Sequence, residues 1–417
     1  MSNDVIIDHI GVNGYGIAKT AYGLISVPFT LPGEVVNIAL HGKYGTPITL
    51  KKKSSERVDA VCQHFETCGG CMLQHWHLNA YHFWKRQLVV DAFKRYGLDA
   101  VISPLIECRN HTRRRVTLTA SVTQESCIIG FNRYQSHDII AIKECPVTRS
   151  EILSKLDDIR AICALLKNNA KRFHVTVTVV ENGFDVALSG CVVQNEFVRQ
   201  KMIRVALSCG ITRLSVQGEV LIEQEKPVIY FGDICVEFPI GGFLQATFEA
   251  ETIMGDIVLT HLKKAKNAAD LFAGVGTFTL RMAKKMNVRA IENDGRALAN
   301  LDQAARIATG LKTVVCEKRD LFRRPLSAKE LECFDSVVFD PPRSGAEEQV
   351  NELAKTTVAR VVAISCNPIT LARDLSLLVA GGYTIEKVVP IDQFLWSPHI
   401  EVVATLSKRK TKKSWKL

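Results

Sequence analysis

Three side chains in the last quarter of the chain are spaced to do covalent chemistry. Cys366 follows the apolar run Val361 to Ile364 and precedes Asn367-Pro368, a pair that cannot continue a strand. The run predicts a buried parallel strand, so the thiol falls at the carboxyl edge of a sheet, where open α/β sheets bind ligands. Asp340 follows a second apolar strand, Ser336 to Phe339, and Pro341-Pro342 fix the backbone so that its carboxylate points into the same cleft. Glu401 closes Trp396-Ser-Pro-His-Ile-Glu401. A lone cysteine is more often an inert buried residue, and a carboxylate at such a place is as often structural. Together, a thiol and a carboxylate supply what nucleophilic catalysis needs: a group that adds to an electron-poor carbon, and a base that takes a proton so the thiol can leave.

The cofactor follows from Asp270-Leu-Phe-Ala-Gly274-Val-Gly276-Thr277, placed where the strand Ala268 to Phe272 turns into its helix. The glycines let a nucleoside approach the backbone, but the third glycine of the dinucleotide fingerprint would fall on Thr279. NAD is disfavoured and S-adenosylmethionine favoured. Glu292, at the end of the next strand, is placed to accept from ribose hydroxyls. Asp340-Pro-Pro-Arg343 resembles the fourth motif of Rossmann-like methyltransferases, with Arg343 where amino-methylating enzymes carry an aromatic residue. The acceptor is then not an exocyclic amine. A thiol nucleophile suits C5 of a pyrimidine, because addition at C6 makes C5 nucleophilic enough to take a methyl group.

A separate group, Cys62-Gln-His-Phe-Glu-Thr-Cys68-Gly-Gly-Cys71, puts three thiols within ten residues on a loop that Gly69 and Gly70 allow to fold back. Three soft ligands imply a metal, with Cys145, before Pro146, as the remote fourth. Zinc and an iron–sulfur cubane both suit such thiols, although zinc knuckles usually come as paired CxxC units. The CxxxCxxC spacing of radical chemistry is absent, so the centre is read as structural.

The elements that must position these groups fall into three units and a tail. Residues 1–57 hold the β-prone runs Val5 to Ile7, Gly23 to Val27 and Glu34 to Ile38 between glycine-rich turns, and predict an OB-like barrel closed by Lys51-Lys-Lys53. Residues 58–240 predict a central α+β domain, with strands over Val116 to Val122, Phe173 to Val180 and Phe184 to Leu188 and helices around 150–167 and 195–208. They begin with the thiol loop and an amphipathic helix from Leu78 to about Tyr96, on which Lys85, Arg86, Lys94 and Arg95 make a basic, solvated face. Residues 241–407 alternate strand and helix and predict a doubly wound α/β sheet. Residues 408–417, with six Lys and Arg, predict a disordered basic tail.

Composition suits an RNA partner and fits many ordinary basic enzymes as well. Over 417 residues, 53 Lys and Arg against 43 Asp and Glu leave a net charge of +10; Arg113-Arg-Arg115 could meet phosphate, although three arginines opening a strand are as often simply exposed. No apolar run reaches a membrane span and Met1-Ser-Asn-Asp-Val is no signal peptide, so the expected location is the cytoplasm and no membrane partner is expected. Thirteen cysteines there point to thiols or metal, not disulfides.

Across nearly the whole length the sequence resembles the RNA uracil-C5 methyltransferases. The barrel is similar to a TRAM domain. The three-Cys loop with Gln74-His75, and Gly130-Phe131 to Cys145-Pro-Val147, resemble the family's [4Fe-4S] region; Asp-Pro-Pro-Arg, Ser-Cys-Asn-Pro and His-Ile-Glu complete the match. The resemblance implies Cys366 as nucleophile and Glu401 as base, Cys62, Cys68, Cys71 and Cys145 as cluster ligands, and Gln245, Phe272, Glu292, Asp320 and Asp340 in the S-adenosylmethionine pocket, with Thr277 by position. Thr247 and Thr277 depart from the pattern, each standing where the family often has Asn. Having both barrel and cluster points to members acting on 23S ribosomal RNA, with a monomer expected. The alternatives are a methyltransferase of the transfer RNA T-loop, a zinc-containing methyltransferase without a covalent intermediate, and a non-catalytic RNA-binding or assembly protein.

Overall fold

In a computed structural model, which describes residues 4–21, 23–167 and 171–408, the chemistry-bearing residues converge on one large sheet. From edge to edge its strands are Val314–Lys318, Asn287–Glu292, Asn267–Leu271, Ser336–Phe339, Arg360–Ser365, Glu401–Ser407, Thr384–Asp392 and Ile106–Glu107. The first five are parallel, Glu401–Ser407 then pairs antiparallel with Arg360–Ser365 and with Thr384–Asp392, and Ile106–Glu107 adds in parallel at the edge. This is the doubly wound α/β sheet expected, extended by two long antiparallel strands.

The central strands are mostly apolar because both faces are covered. Leu271, Val337, Phe339, Val361 and Ala363 face helices carrying Val350, Leu371 and Leu375. Ala268, Val338, Val362, Ile364 and Val403 face Met254, Val258 and Met282. Each fully buried large side chain contributes about 1.5–3 kcal/mol, so the strand ends that carry Asp340 and Cys366 rest on a rigid support.

The helix Leu78–Arg95 joins this core through Val89, Ala92 and Phe93, so residues 78–107 pack on the C-terminal sheet although they precede the central domain in the chain. Its expected basic face is only partly solvated. Lys94 and Arg95 are exposed, but Lys85 is wholly buried on Asp392, and Arg86 donates to the carbonyls of Ser103 (3.1 Å) and Ile102 (2.6 Å).

The central unit is a seven-stranded sheet ordered Glu219–Glu223, Arg213–Val216, Gly183–Ser189, Phe173–Val180, Arg115–Val122, Cys127–Asn132 and Ile139–Ala141. Leu156–Ala164 and Glu196–Ser208 share its core. At the N-terminus Asp4–Ile10, Gly16–Thr20, Gly23–Val27, Tyr44–Lys52 and Val35–His41 close in that order into a barrel, since the first strand also pairs with the last. Phe29 and Leu31 of the barrel, Met72 and Trp76 of the thiol loop, Trp84, and Leu395-Trp396 form one buried cluster that fastens barrel, loop and catalytic end together. Lys408, expected to open the tail, instead donates to the carbonyls of Thr356 (2.7 Å) and Ala354 (3.2 Å); the remainder of the tail lies outside the described residues. Among the described residues no helix is long and apolar enough to cross a membrane.

Candidate active site

At the carboxyl ends of the parallel strands lies a cavity of about 580 Å³, lined by Gln245, Phe272, Glu292, Asp320, Asp340, Cys366 and Glu401 among others. Seven of the eight residues expected at catalysis or cofactor thus meet in one space. Thr277 does not line it. The turn after Asn267–Leu271 tightens through positive φ at Phe272 (63°), Gly274 (55°) and Gly276 (97°), which turns Gly274 and Val275 toward the cavity and Thr277 past it. A Cβ at Gly276 would lie 2.4 Å from Leu301 Cδ1, so the turn packs against its neighbouring helix only with glycine there.

Glu292 is held in place by backbone. One carboxylate oxygen accepts from Gly274 N–H (2.9 Å), the other from the N–H groups of Asn293 (2.7 Å) and Asp294 (2.8 Å). Asp320 likewise accepts from the N–H groups of Phe322 (3.0 Å) and Arg323 (3.3 Å). The rings of Phe272 and Phe322 sit 5.4 Å apart, an apolar wall in the cavity that these two held carboxyl groups also line.

A buried relay crosses the other half of the cavity. Gln245 Nε2 donates to Asp340 Oδ2 (2.8 Å), and Gln393 Nε2 donates both to Gln245 Oε1 (3.0 Å) and to Glu401 Oε2 (2.7 Å). Glu401 Oε1 is buried with no hydrogen-bond partner among the described residues. Burial drives the Glu401 carboxyl well above the usual carboxylate range; the nearby Asp340 raises it further, and the Gln393 bond lowers it. Burial also pushes Asp340 up to about 7, against the Gln245 bond. An acid raised in this way, with one oxygen facing the cavity, is placed to exchange a proton with a bound substrate.

Cys366 sits just past Arg360–Ser365, and Asn367 caps the helix Pro368–Ala380 by accepting from Ile369 N–H (3.1 Å). Asn367 Nδ2 also donates to Arg343 O (3.1 Å), which ties the cysteine loop to Asp340-Pro-Pro-Arg343. Burial, then the negative fields of Glu401 and Asp340, push the Cys366 thiol up to about 11, so the free protein holds it as a thiol. Thr247 caps the helix Phe248–His261, accepting from Ala250 N–H (3.1 Å), a role a threonine oxygen fills as an asparagine would.

Cys62, Cys68, Cys71 and Cys145 line a second cavity of about 310 Å³. All four are free thiols. Burial raises the first three above the usual thiol range, Cys71 to about 12, and the field of Cys145 adds to each. Among the described residues no group of three or more His, Cys, Asp or Glu is arranged to hold a metal ion. Arg113 and Phe394 line both cavities, so the two spaces share a wall.

Residues 229–409 match the family model of tRNA (Uracil-5-)-methyltransferase. An uncharacterized RNA methyltransferase of Brucella suis is 53% identical over 98% of this chain and 98% of its own length, and one of Caulobacter vibrioides is 37% identical over 97% and 100%. The chain belongs to the RNA uracil-C5 methyltransferase family. A more distant relative is the 23S rRNA (uracil(1939)-C(5))-methyltransferase of Shewanella denitrificans, 28% identical over 95% of this chain and 93% of that one. The fold is that of the Pyrococcus abyssi tRNA (uracil-54, C5)-methyltransferase, with a TM-score of 0.76 at 22% identity over 97% of this chain and 99% of that one.

Four residues have parts in this family member's site that sequence reasoning misses. Gln393 is one, although the pairing of Ile391 with Glu401 across the last two strands would have put it beside the acid. Asp270 is wholly buried under the cavity, accepts from Thr279 Oγ1 (2.5 Å), and is pushed by burial up to about 7. Arg114, between two cavity-lining arginines, is engaged by the buried Glu251 and the carbonyl of Gln245 (3.1 Å). Lys85 anchors the loop before Glu401 by donating to the carbonyls of Phe394 (3.0 Å) and His399 (2.5 Å).

Proposed function

We propose that this protein methylates C5 of a uridine in RNA through a covalent adduct on Cys366. The observation that carries the reading is the meeting of Cys366, Asp340 and Glu401 in one cavity, with one oxygen of Glu401 buried and free. Cys366 gives its proton to water, and its sulfur bonds to C6 of the flipped uracil as the C5–C6 π electrons shift onto C5 and the C4 carbonyl, which makes C5 nucleophilic. C5 takes the methyl group, Glu401 Oε1 removes the C5 proton, and the electrons of that bond re-form the C5–C6 double bond as the sulfur departs. Bound S-adenosylmethionine would supply the methyl group from its sulfonium. The fixed carboxyl groups of Glu292 and Asp320, the apolar wall of Phe272 and the close backbone of Gly274 suit an adenosine, with its ribose hydroxyls and flat base, and Gln245 and Asp340 border the reacting end. Thr277 is left out of this set.

Ribosomal RNA is the substrate we favour, supported by the name of the Shewanella relative and by the resemblance of barrel and thiol loop. Transfer RNA is the second reading, supported by the substrate for which the Pyrococcus enzyme is named. We propose that the barrel and the basic surfaces add affinity through phosphate contacts while the cavity reads the base. The thiol cavity suits a [4Fe-4S] cluster bound by Cys62, Cys68, Cys71 and Cys145. The four free thiols, three from one loop and one remote, line one cavity, and that pattern of three clustered and one distant cysteine supports a cubane over zinc. Its role would be to brace the loop Phe394 to His399, which lines the same space.

The test is methylation of unmodified 23S ribosomal RNA and transfer RNA transcripts with methyl-labelled S-adenosylmethionine, with the product mapped by nucleoside mass spectrometry. The expected product is 5-methyluridine at one position of the ribosomal transcript. Label on transfer RNA alone would favour the second reading, and label at a nitrogen or ribose would overturn the chemistry.

A further inference from the structure

We propose that Gln393 is a positioning residue for the acid that takes the C5 proton: its carboxamide decides which oxygen of Glu401 stays free. The inference rests on the base assigned above to Glu401.

The orientation of this amide is settled by its neighbours. Ala246 N–H can only donate, and it donates to Gln393 Oε1 (3.2 Å). The NH2 group must therefore face the other way, where both of its hydrogens are used, one on Gln245 Oε1 and one on Glu401 Oε2. That in turn orients Gln245, whose NH2 has to face Asp340. Gln393 is 1% exposed and Glu401 3%, so no bulk water competes for these bonds. One carboxylate oxygen is thus engaged, and Oε1 is the oxygen of Glu401 left without a partner among the described residues.

The backbone of Gln393 is held as firmly as its side chain. Its predecessor Asp392 accepts from Tyr81 OH (2.7 Å) and pairs with Lys85, while the same lysine takes the carbonyl of its successor Phe394. One buried cation thus straddles Gln393, and Ile391 is paired with Glu401 across the sheet. The geometry also sets the acid's readiness, since a hydrogen bond to the charged form favours that form and opposes the effect of burial. The groups around Glu401 that bear on its charge are Gln393, Asp340 and Cys366.

The experiment compares wild type, Gln393→Met and Glu401→Gln in single turnover across pH, using whichever of the two unmodified transcripts the wild type methylates. Gln393→Met keeps the volume and removes both donors. It should slow release of methylated RNA roughly ten- to hundred-fold near neutral pH, accumulate the methylated adduct, leave KM for RNA unchanged, and move the acid limb of the rate profile to higher pH. An unmoved acid limb, or an even loss of rate at all pH values with raised KM, would overturn the proposal in favour of a structural role. Should Gln393→Met fail to fold by thermal melting, Gln393→Glu carries the same test: the added acid should displace the limb further, and an unmoved limb overturns the idea. Turnover by Glu401→Gln without a trapped adduct would instead remove the base assignment itself, a failure distinguishable from that of Gln393.

Discussion

Replacing Lys85 by methionine should cost this protein more stability than almost any single core truncation. Lys85 and Asp392 are both wholly buried, and the Lys85 ammonium is the only cation paired with that carboxylate among the described residues. Burial lowers the lysine's pKa and the Asp392 charge opposes that shift, the pattern of an ion kept charged only by its partner. Methionine fills the space but strands a buried carboxylate on Tyr81 alone and frees the carbonyls of Phe394 and His399. Removing one partner of a buried pair costs about 3–5 kcal/mol, whereas removing both is far milder. Urea unfolding of Lys85→Met should show a loss in that range, and the double variant Lys85→Met/Asp392→Asn should recover roughly half of it. A loss below about 1 kcal/mol, or strict additivity of the two substitutions, would refute the reasoning.

Three further outcomes follow from the charges. Iodoacetamide at pH 7.5 should label the exposed Cys235 and Cys333 well before Cys366, whose rate should rise as pH approaches its raised value of about 11; peptide mass spectrometry reads this, and Cys366 reacting first at neutral pH would contradict it. Asp270, at about 7 in the folded chain against an ordinary 3.8, binds its proton more tightly folded than unfolded, so its contribution is lost as pH rises from about 4 to about 7; Asp270→Asn should be more stable than wild type by a few kcal/mol at pH 8 and similar to it at pH 4 in urea melts. Protein purified without oxygen should contain iron and acid-labile sulfide in equal amounts, about four of each per chain; Cys68→Ala should lose both, and zinc in their place would contradict the cluster.

Local pattern makes the strand ends legible. The apolar runs before Asp340 and Cys366 are buried on both faces, and only parallel strands inside a covered sheet read that way, so their ends had to open on the ligand side. The barrel strands Gly16–Thr20 and Tyr44–Lys52 are less visible, because short strands interrupted by glycine and lysine carry little apolar pattern. Antiparallel Thr384–Asp392 and Glu401–Ser407 escape notice as a pair, and with them Gln393, whose importance exists only once Ile391 lies opposite Glu401. Lys85 misleads for a related reason. On its own helix it continues a basic face with Arg86, and only Asp392, 307 residues later, makes its burial tolerable. Thr277 reads as a contact because it follows the glycines, but three positive-φ residues in the turn carry it past the cavity.

The central claim is a covalent step at Cys366 closed by Glu401, and trapping it is the most direct test. Glu401→Gln keeps the shape of the side chain but cannot take the C5 proton, while addition and methyl transfer do not need it. Incubated with S-adenosylmethionine and the substrate transcript, Glu401→Gln should give a protein–RNA band on denaturing gels whose digest carries a methylated uridine joined to Cys366, and Cys366→Ala should give none. A Glu401→Gln protein that turns over without any trapped species, or an adduct that survives in Cys366→Ala, would contradict the account.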